Sequence, residues 1–469
     1  MLIMRHELLL VAIAVILLLL EIFLPEGRKQ KIILPAILLM GLVTVLGFIP
    51  GPSGTLFGGM YQTTILILML KNILNVGVLI VFIQSVDFLK RPENQEKISE
   101  FYILLLSTLI GMEYMISAGD FLMFYLGLEL ATIPLAALAA YERFKEKSAE
   151  AGVKLIFISA LSSGILLYGL SMLYGTAGTL YFSDMVAVID GSPLQTLAFI
   201  FFFVGMGFKI SLVPFHLWTA DVYEGAPVTI TSYLSVISKG AAVFIFTIIL
   251  YTVFGKIAYL WQDVLYIIII LTITLGNLFA IRQKNLKRFL AFSSIAQAGF
   301  ILLGIIGQSR LGMATVIYFV LVYIFSNLGA FGVVAIISSR TGKENIHDYD
   351  GLYRTNPKLS LVMMLALFSL AGIPPVAGFF GKFFLFIAAA EKGLYILVLI
   401  AIINTIISLY YYLLVIKAMF LNRSDRPITY FRSDAYTRIG LLLCVAGIVA
   451  IGLISGFYEG IQAISFGLN

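Results

Sequence analysis

Gly207-Phe208-Lys209-Ile210-Ser211-Leu212-Val213-Pro214-Phe215-His216-Leu217-Trp218 sets a lysine and a proline close together inside a long apolar stretch. Ala371-Gly372-Ile373-Pro374-Pro375-Val376-Ala377-Gly378-Phe379-Phe380-Gly381-Lys382 brings the same two residue types together again. Proline removes a backbone donor and frees a carbonyl, which hydrocarbon tolerates only where protein or water satisfies the freed group. A lysine near the bilayer centre costs about 2.5–3.5 kcal/mol on insertion scales. Paired broken helices, each beside a lysine, predict an ion pathway in a transporter-like fold with an internal repeat.

The rest of the chain agrees. Of 469 residues, 61% are hydrophobic and 12% charged, with a mean hydropathy of +1.03. A soluble domain cannot hide that much apolar surface, so the sequence predicts an integral, all-α polytopic membrane protein. Aliphatic runs of about 20 residues without period-2 alternation argue for helices over an outer-membrane barrel. The stretch Leu8 to Leu24 lacks a small-residue cleavage site, and Pro25-Glu26-Gly27-Arg28-Lys29 follows it, so it reads as a retained first helix. One cysteine, Cys444, excludes a disulfide framework and any thiol-built zinc or iron–sulfur site. The net charge of +6 is distributed by topology and does not indicate nucleic-acid binding.

Polar breaks divide the sequence into fourteen spans, at about 7–24, 32–49, 62–86, 100–117, 120–140, 150–174, 194–218, 228–253, 258–281, 287–306, 311–338, 359–390, 394–420 and 437–457. Loops after odd-numbered spans carry twenty-two lysines and arginines, and loops after even-numbered spans carry three. The positive-inside rule then puts the odd loops in the cytoplasm and both termini on the periplasmic side. The broken spans, seven and twelve, lie five helices apart. Repeats of spans 4–8 and 9–13 therefore have inverted topology, because five is odd. The expected organisation is an N-terminal three-helix segment (1–99), a first repeat (100–255), a second inverted repeat (256–421), and a cytoplasmic loop with the last helix (422–469).

Away from the span ends, five basic residues fall inside the spans, and all are lysines: Lys71, Lys154, Lys209, Lys239 and Lys382. A buried lysine, unlike arginine, can lose and regain a proton. Glu129 lies mid-span and needs a cation, a proton or water, and Lys209 is its natural partner. Lys239 and Lys382 extend a lateral relay from Lys209 along the membrane mid-plane. Lys154, a turn inside span six, either feeds that relay or snorkels to the interface. His216, just past Pro214, is either a proton-passing imidazole or a packed polar plug. Lys71, with Asn72 and Asn75, has no assigned role. Gly205-Met206-Gly207 and Gly381-Lys382-Phe383 do not complete a nucleotide-binding loop. Phe201-Phe202-Phe203 and Tyr410-Tyr411-Tyr412 read as packing and interface anchors and not as a quinone site.

These stretches, with Leu126-Gly127-Leu128-Glu129-Leu130 and Asp221-Val222-Tyr223-Glu224-Gly225-Ala226-Pro227, resemble the subunit N family of respiratory complex I, the proton-translocating NADH–quinone oxidoreductase. The resemblance runs over nearly the whole chain. It implies fourteen helices with two inverted five-helix repeats, and proton pumping through Glu129, Lys154, Lys209, Lys239 and Lys382. The sister subunit M carries glutamate where Lys382 stands, and subunit L is longer, with a lateral C-terminal helix. Animal mitochondrial versions have fewer spans, so the resemblance implies a bacterial inner membrane. It also implies no cofactor in this chain, with FMN, iron–sulfur clusters, NADH and quinone in the parent complex. The implied partners are the neighbouring antiporter-like and small membrane subunits and the lipid bilayer. The same fold serves multi-subunit Na⁺/H⁺ antiporters, which is the alternative function.

Overall fold

The computed structural model describes residues 2–25 and 27–465; Met1, Glu26 of the first expected loop and residues 466–469 lie outside the described residues. Among the described residues, thirteen helices are long and apolar enough to cross a membrane. They are Arg5–Phe23, Lys29–Gly47, Ile65–Gln84, Gln95–Ile116, Phe121–Ala139, Glu146–Ala177, Pro193–Ile210, Val228–Thr252, Gly255–Ile281, Leu286–Ile306, Arg310–Thr341, Tyr395–Phe420 and Ala435–Leu453. Two shorter apolar helices, Pro357–Ala371 and Ala377–Ala390, occupy the place expected for span 12. The remaining thirteen are spans 1–11, 13 and 14 in chain order.

Burial orders the bundle. The apolar windows of spans 8 and 10 are 100% covered by the rest of the chain, against 33% for span 6. Spans 8 and 10 are therefore the centre, and a polar residue on either must find its partner within the protein.

The two halves repeat one construction. Asp120 caps the start of span 5 by accepting from the Met123 amide, and Asn285 caps span 10 by accepting from the amides of Lys287 and Arg288. Each cap is clamped to the chain just after the following span, through the bridges Asp120–Tyr181 and Asn285–Asn345. Spans 6 and 11 are both 32 residues long, and each ends on a left-handed glycine, Gly178 (φ 67°) or Gly342 (φ 69°). Consecutive spans alternate in direction, so these matching elements, five spans apart, run in opposite senses.

The breaks match as well. The first half of span 7 ends at Ile210 with Ser211 left-handed (φ 67°), and the first half of span 12 ends at Ala371 with Gly372 left-handed (φ 88°). In both, the next two amides fold back on the last turn: Leu212 donates to the Gly207 carbonyl at 2.8 Å, and Ile373 to the Phe368 carbonyl at 3.0 Å. Pro214 and Pro375 each follow the left-handed residue by three positions. The unequal proline-to-lysine spacing in the sequence has a simple origin. Lys209 lies before its break and Lys382 after it.

Span 5 is broken too, at a proline the sequence analysis did not use. Its helix stops at Leu130 and restarts at Ile133, with Pro134 in the first turn of the second piece, where a missing amide costs nothing. Span 4 is pressed against this kink. A Cβ on Gly111 would lie 2.4 Å from the Ala131 nitrogen.

Candidate proton-relay site

Lys209 sits in the last turn of its half-helix, where the exposed carbonyls favour a cation. Its Nζ donates to the Thr132 hydroxyl, at the kink of span 5. The Thr132 amide in turn donates to the Glu129 carbonyl at 3.0 Å, so Glu129 is one turn away. The expected Glu129–Lys209 ion pair is not made; one buried oxygen of Glu129 has no partner. A cavity of about 40 Å³ lies beside Lys209, lined by Thr132, Ser159, Ser162, Ser163 and Ser238.

Lys239 follows a turn of π-helix, Leu234–Ser238, in fully buried span 8. Such wide turns are frequent at functional sites. Its Nζ donates to the Ser294 hydroxyl of span 10 at 2.7 Å and lies 5.7 Å from the Tyr223 ring centroid. Lys382 donates to the Ala371 carbonyl at 3.0 Å. That carbonyl ends the first half of span 12, so this lysine also addresses the negative end of a broken helix. Its Nζ stands 4.6 Å over the Phe300 ring.

Span 10 joins these positions. On one buried helix it carries Ser294 beneath Lys239, Gln297, and Phe300 beneath Lys382. Gln297 donates to the Leu370 carbonyl at 3.0 Å and to the Tyr412 hydroxyl at 3.2 Å. The tyrosine run divides. Tyr410 is exposed, while Tyr411 and Tyr412 are buried and hydrogen-bonded to Asn277 and to Ser293.

Lys154 is placed differently. About a third exposed, it pairs with Asp221 at 2.7 Å and Glu150 at 2.6 Å. Arg288 shares Asp221 and reaches Glu224, which also holds Lys147. Lys287, at the edge of span 10 and counted among the twenty-two loop charges, is buried in this cluster against Glu344 at 3.2 Å. A cavity of about 250 Å³ opens here, with Asp87, Glu224, Lys287 and Glu344 in its walls. His216 is buried with its ring stacked near Phe279, centroids 6.4 Å apart, and no contact ties it to Lys209.

The lysines thus fall into two groups. Lys71, Lys154 and Lys287 are each held by a carboxylate. Lys209, Lys239 and Lys382 are each held by a neutral oxygen. For Lys209 and Lys239 that oxygen is a hydroxyl, which both donates and accepts and so suits a lysine whether or not it carries its proton, and for Lys382 it is a backbone carbonyl, which only accepts. Sequence reasoning missed Thr132, Ser294, Gln297, Asp221 and Arg288; the clearest signal available was the Gln297 amide in an otherwise apolar stretch.

Comparison with known proteins agrees with this architecture. The family profile described as NADH:quinone oxidoreductase/Mrp antiporter matches residues 118–408. NADH-quinone oxidoreductase subunit N of Phocaeicola vulgatus is 55% identical over 457 residues, covering 97% of each chain. That of Azobacteroides pseudotrichonymphae is 52% identical, covering 99% of this chain and 98% of its own. Among solved structures, a chain of respiratory complex I from Thermus thermophilus with bound aureothin superposes with a TM-score of 0.79 at 28% identity, over 96% of this chain and 97% of its own. The Mrp complex of Dietzia shares the fold, with a TM-score of 0.86 at 19% identity, over 99% of this chain and 97% of its own. With more than half of its length matched by the family and relatives above 50% identity over nearly all of it, this chain belongs to the subunit N family of NADH-quinone oxidoreductase.

Proposed function

We propose that this chain is a proton-translocating subunit in the membrane arm of complex I, and that it does no redox chemistry itself. FMN, iron–sulfur clusters, NADH and quinone belong to the parent complex. Its partners are the neighbouring antiporter-like and small membrane subunits. Quinone reduction elsewhere draws Glu129 and Lys209 apart, and the proton released passes by Lys239 to Lys382 and then to the periplasm. The observation that carries this reading is the row of three buried lysines held by neutral oxygens. The Lys209–Thr132 contact corresponds to the separated state of the Glu129 pair. Lys154, in its carboxylate cluster at the basic-loop end, lies where a cytoplasmic proton would enter, and His216 serves as a packing residue beside the break.

Moving one charge against 100 mV costs about 2.3 kcal/mol. One hydrogen bond to a charged group is worth about 1.5–3 kcal/mol, so making or breaking a single such contact is of the required size. The two repeats, at about 100–255 and 256–421, each contribute a half-channel around one break. The membrane is a bacterial inner membrane, with both termini periplasmic.

Lys209→Ala in the intact complex should abolish or greatly reduce NADH-driven proton pumping, read from the quenching of a pH-sensitive dye in inverted vesicles. Near-normal pumping would count against the relay. Likeness to the Mrp fold motivates the rival reading as a Na⁺/H⁺ antiporter subunit. Sodium-dependent proton exchange without NADH would favour that rival.

A further inference from the structure

A second buried ionic cluster lies outside this relay, among spans 1, 3 and 4 and the short hairpin of β1 (Gly54–Leu56) and β2 (Tyr61–Thr63). Lys71 of span 3 is fully buried and donates to Glu7 of span 1 at 2.5 Å and to the Tyr61 hydroxyl at 2.9 Å. Tyr61, also fully buried, donates to the same Glu7 oxygen at 2.9 Å and accepts from Thr63 at 3.2 Å. One lysine is thereby neutralised by one glutamate.

Glu113 of span 4 is left over. It is 0% exposed, and neither of its oxygens has a hydrogen-bond partner. The Asn75 amide stands beside it without closing a bond. The other titratable groups around the cluster are His6 on span 1, Tyr114 on span 4 and Tyr233 on span 8. The Arg5 guanidinium turns away to the Ile49 carbonyl at 2.7 Å. No second cation faces Glu113 from these elements. An ionised carboxylate cannot be kept at such a position, because the desolvation cost far exceeds that of binding a proton. The cluster also touches the centre of the bundle. Tyr233 bonds Thr108 of span 4 at 2.7 Å and lies 4.0 Å from the Met112 sulfur, beside Glu113. The next residue opens the π-turn that leads to Lys239.

We propose that Glu113 holds an exchangeable proton in a second site locked by Lys71, Glu7 and Tyr61, and that this site passes protons between the central relay and the N-terminal end of the bundle. The transfer part rests on the function proposed above. In this step Glu113 gives its proton to the Tyr233 side of span 8 and is reprotonated from the hairpin along Thr63, Tyr61 and Glu7, each hydroxyl passing its proton to the oxygen it donates to in the structure.

The test is infrared difference spectroscopy on the purified complex in H₂O and D₂O, with Glu113→Gln, Glu129→Gln and the parent compared. The expected result is a protonated-carboxyl C=O band that shifts in D₂O, is lost in Glu113→Gln and survives in Glu129→Gln. Glu113→Gln should also pump fewer protons per NADH while still reducing quinone. Absence of that band from the parent-minus-Glu113→Gln spectrum overturns the site. Unchanged pumping in Glu113→Gln overturns the transfer. Where Glu113→Gln fails to assemble, Glu113→Asp gives the same reading, because it moves the band instead of deleting it. Lys209→Ala measured alongside separates the two ideas, since normal pumping there removes the relay and leaves the infrared assignment standing.

Discussion

At the scale of single residues, the decisive difference is between a lysine facing a carboxylate and a lysine facing a hydroxyl. Ser294 holds Lys239 at 2.7 Å with no carboxylate in contact. Ser294→Asp would supply one. A hydrogen bond to a charged partner adds about 1.5–3 kcal/mol, which is about ten- to a hundredfold in proton occupancy. Lys239 would then keep its proton through the cycle. We expect Ser294→Asp complex to assemble, to reduce quinone, and to pump as poorly as Lys239→Ala. Ser294→Ala, which leaves the lysine free to exchange, should keep most of its pumping. Thr132→Val tests the equivalent contact at Lys209, with a partial loss of pumping as the expected outcome. The lysines themselves were legible in the sequence because a cation in an apolar run is conspicuous. Thr132 and Ser294 were not, because threonine and serine are common in membrane helices and only their position opposite a lysine gives them meaning.

At the scale of elements, the break in span 12 depends on close backbone approach. Span 12 turns back on itself so tightly that a Cβ on Gly378 would lie 1.7 Å from the Ser369 carbonyl oxygen. Backbone on both sides leaves nothing flexible to move. Gly378→Ala should therefore destabilise the subunit by roughly 2 kcal/mol or more, seen as reduced subunit content and a lower melting temperature of the purified complex. The existence of the breaks could be read from Pro214, Pro374 and Pro375, since proline interrupts the ladder wherever it falls. Their shared construction could not. Ser211 and Gly372 occupy the same left-handed position, and a serine in that conformation leaves no mark on the sequence. The π-turn before Lys239 was hidden for a related reason, because no breaker residue marks it, whereas the kink in span 5 did have a mark in Pro134.

At the scale of the whole molecule, span number and orientation follow from hydropathy and charge, which act on each segment separately. The contacts between distant parts do not. Glu7 and Lys71 are far apart in sequence, as are Asp221 and Arg288, and only the folded bundle brings each pair together. Lys287 shows the limit of counting loop charges. It is one of the twenty-two loop charges, yet it is buried against Glu344. Removing it leaves twenty-one basic residues on one side against three on the other, so the predicted orientation does not depend on it. That orientation can be measured directly, because the single native thiol, Cys444, is buried and should stay silent to polar reagents. In intact spheroplasts, Ser53→Cys in the exposed loop after span 2 should react with a membrane-impermeant maleimide. Arg423→Cys, exposed after span 13, should react only once the membrane is opened. The reverse pattern would place the basic loops outside. The carboxylate cluster at Lys154 would then face the periplasm, and the proposed direction of proton entry would have to be abandoned.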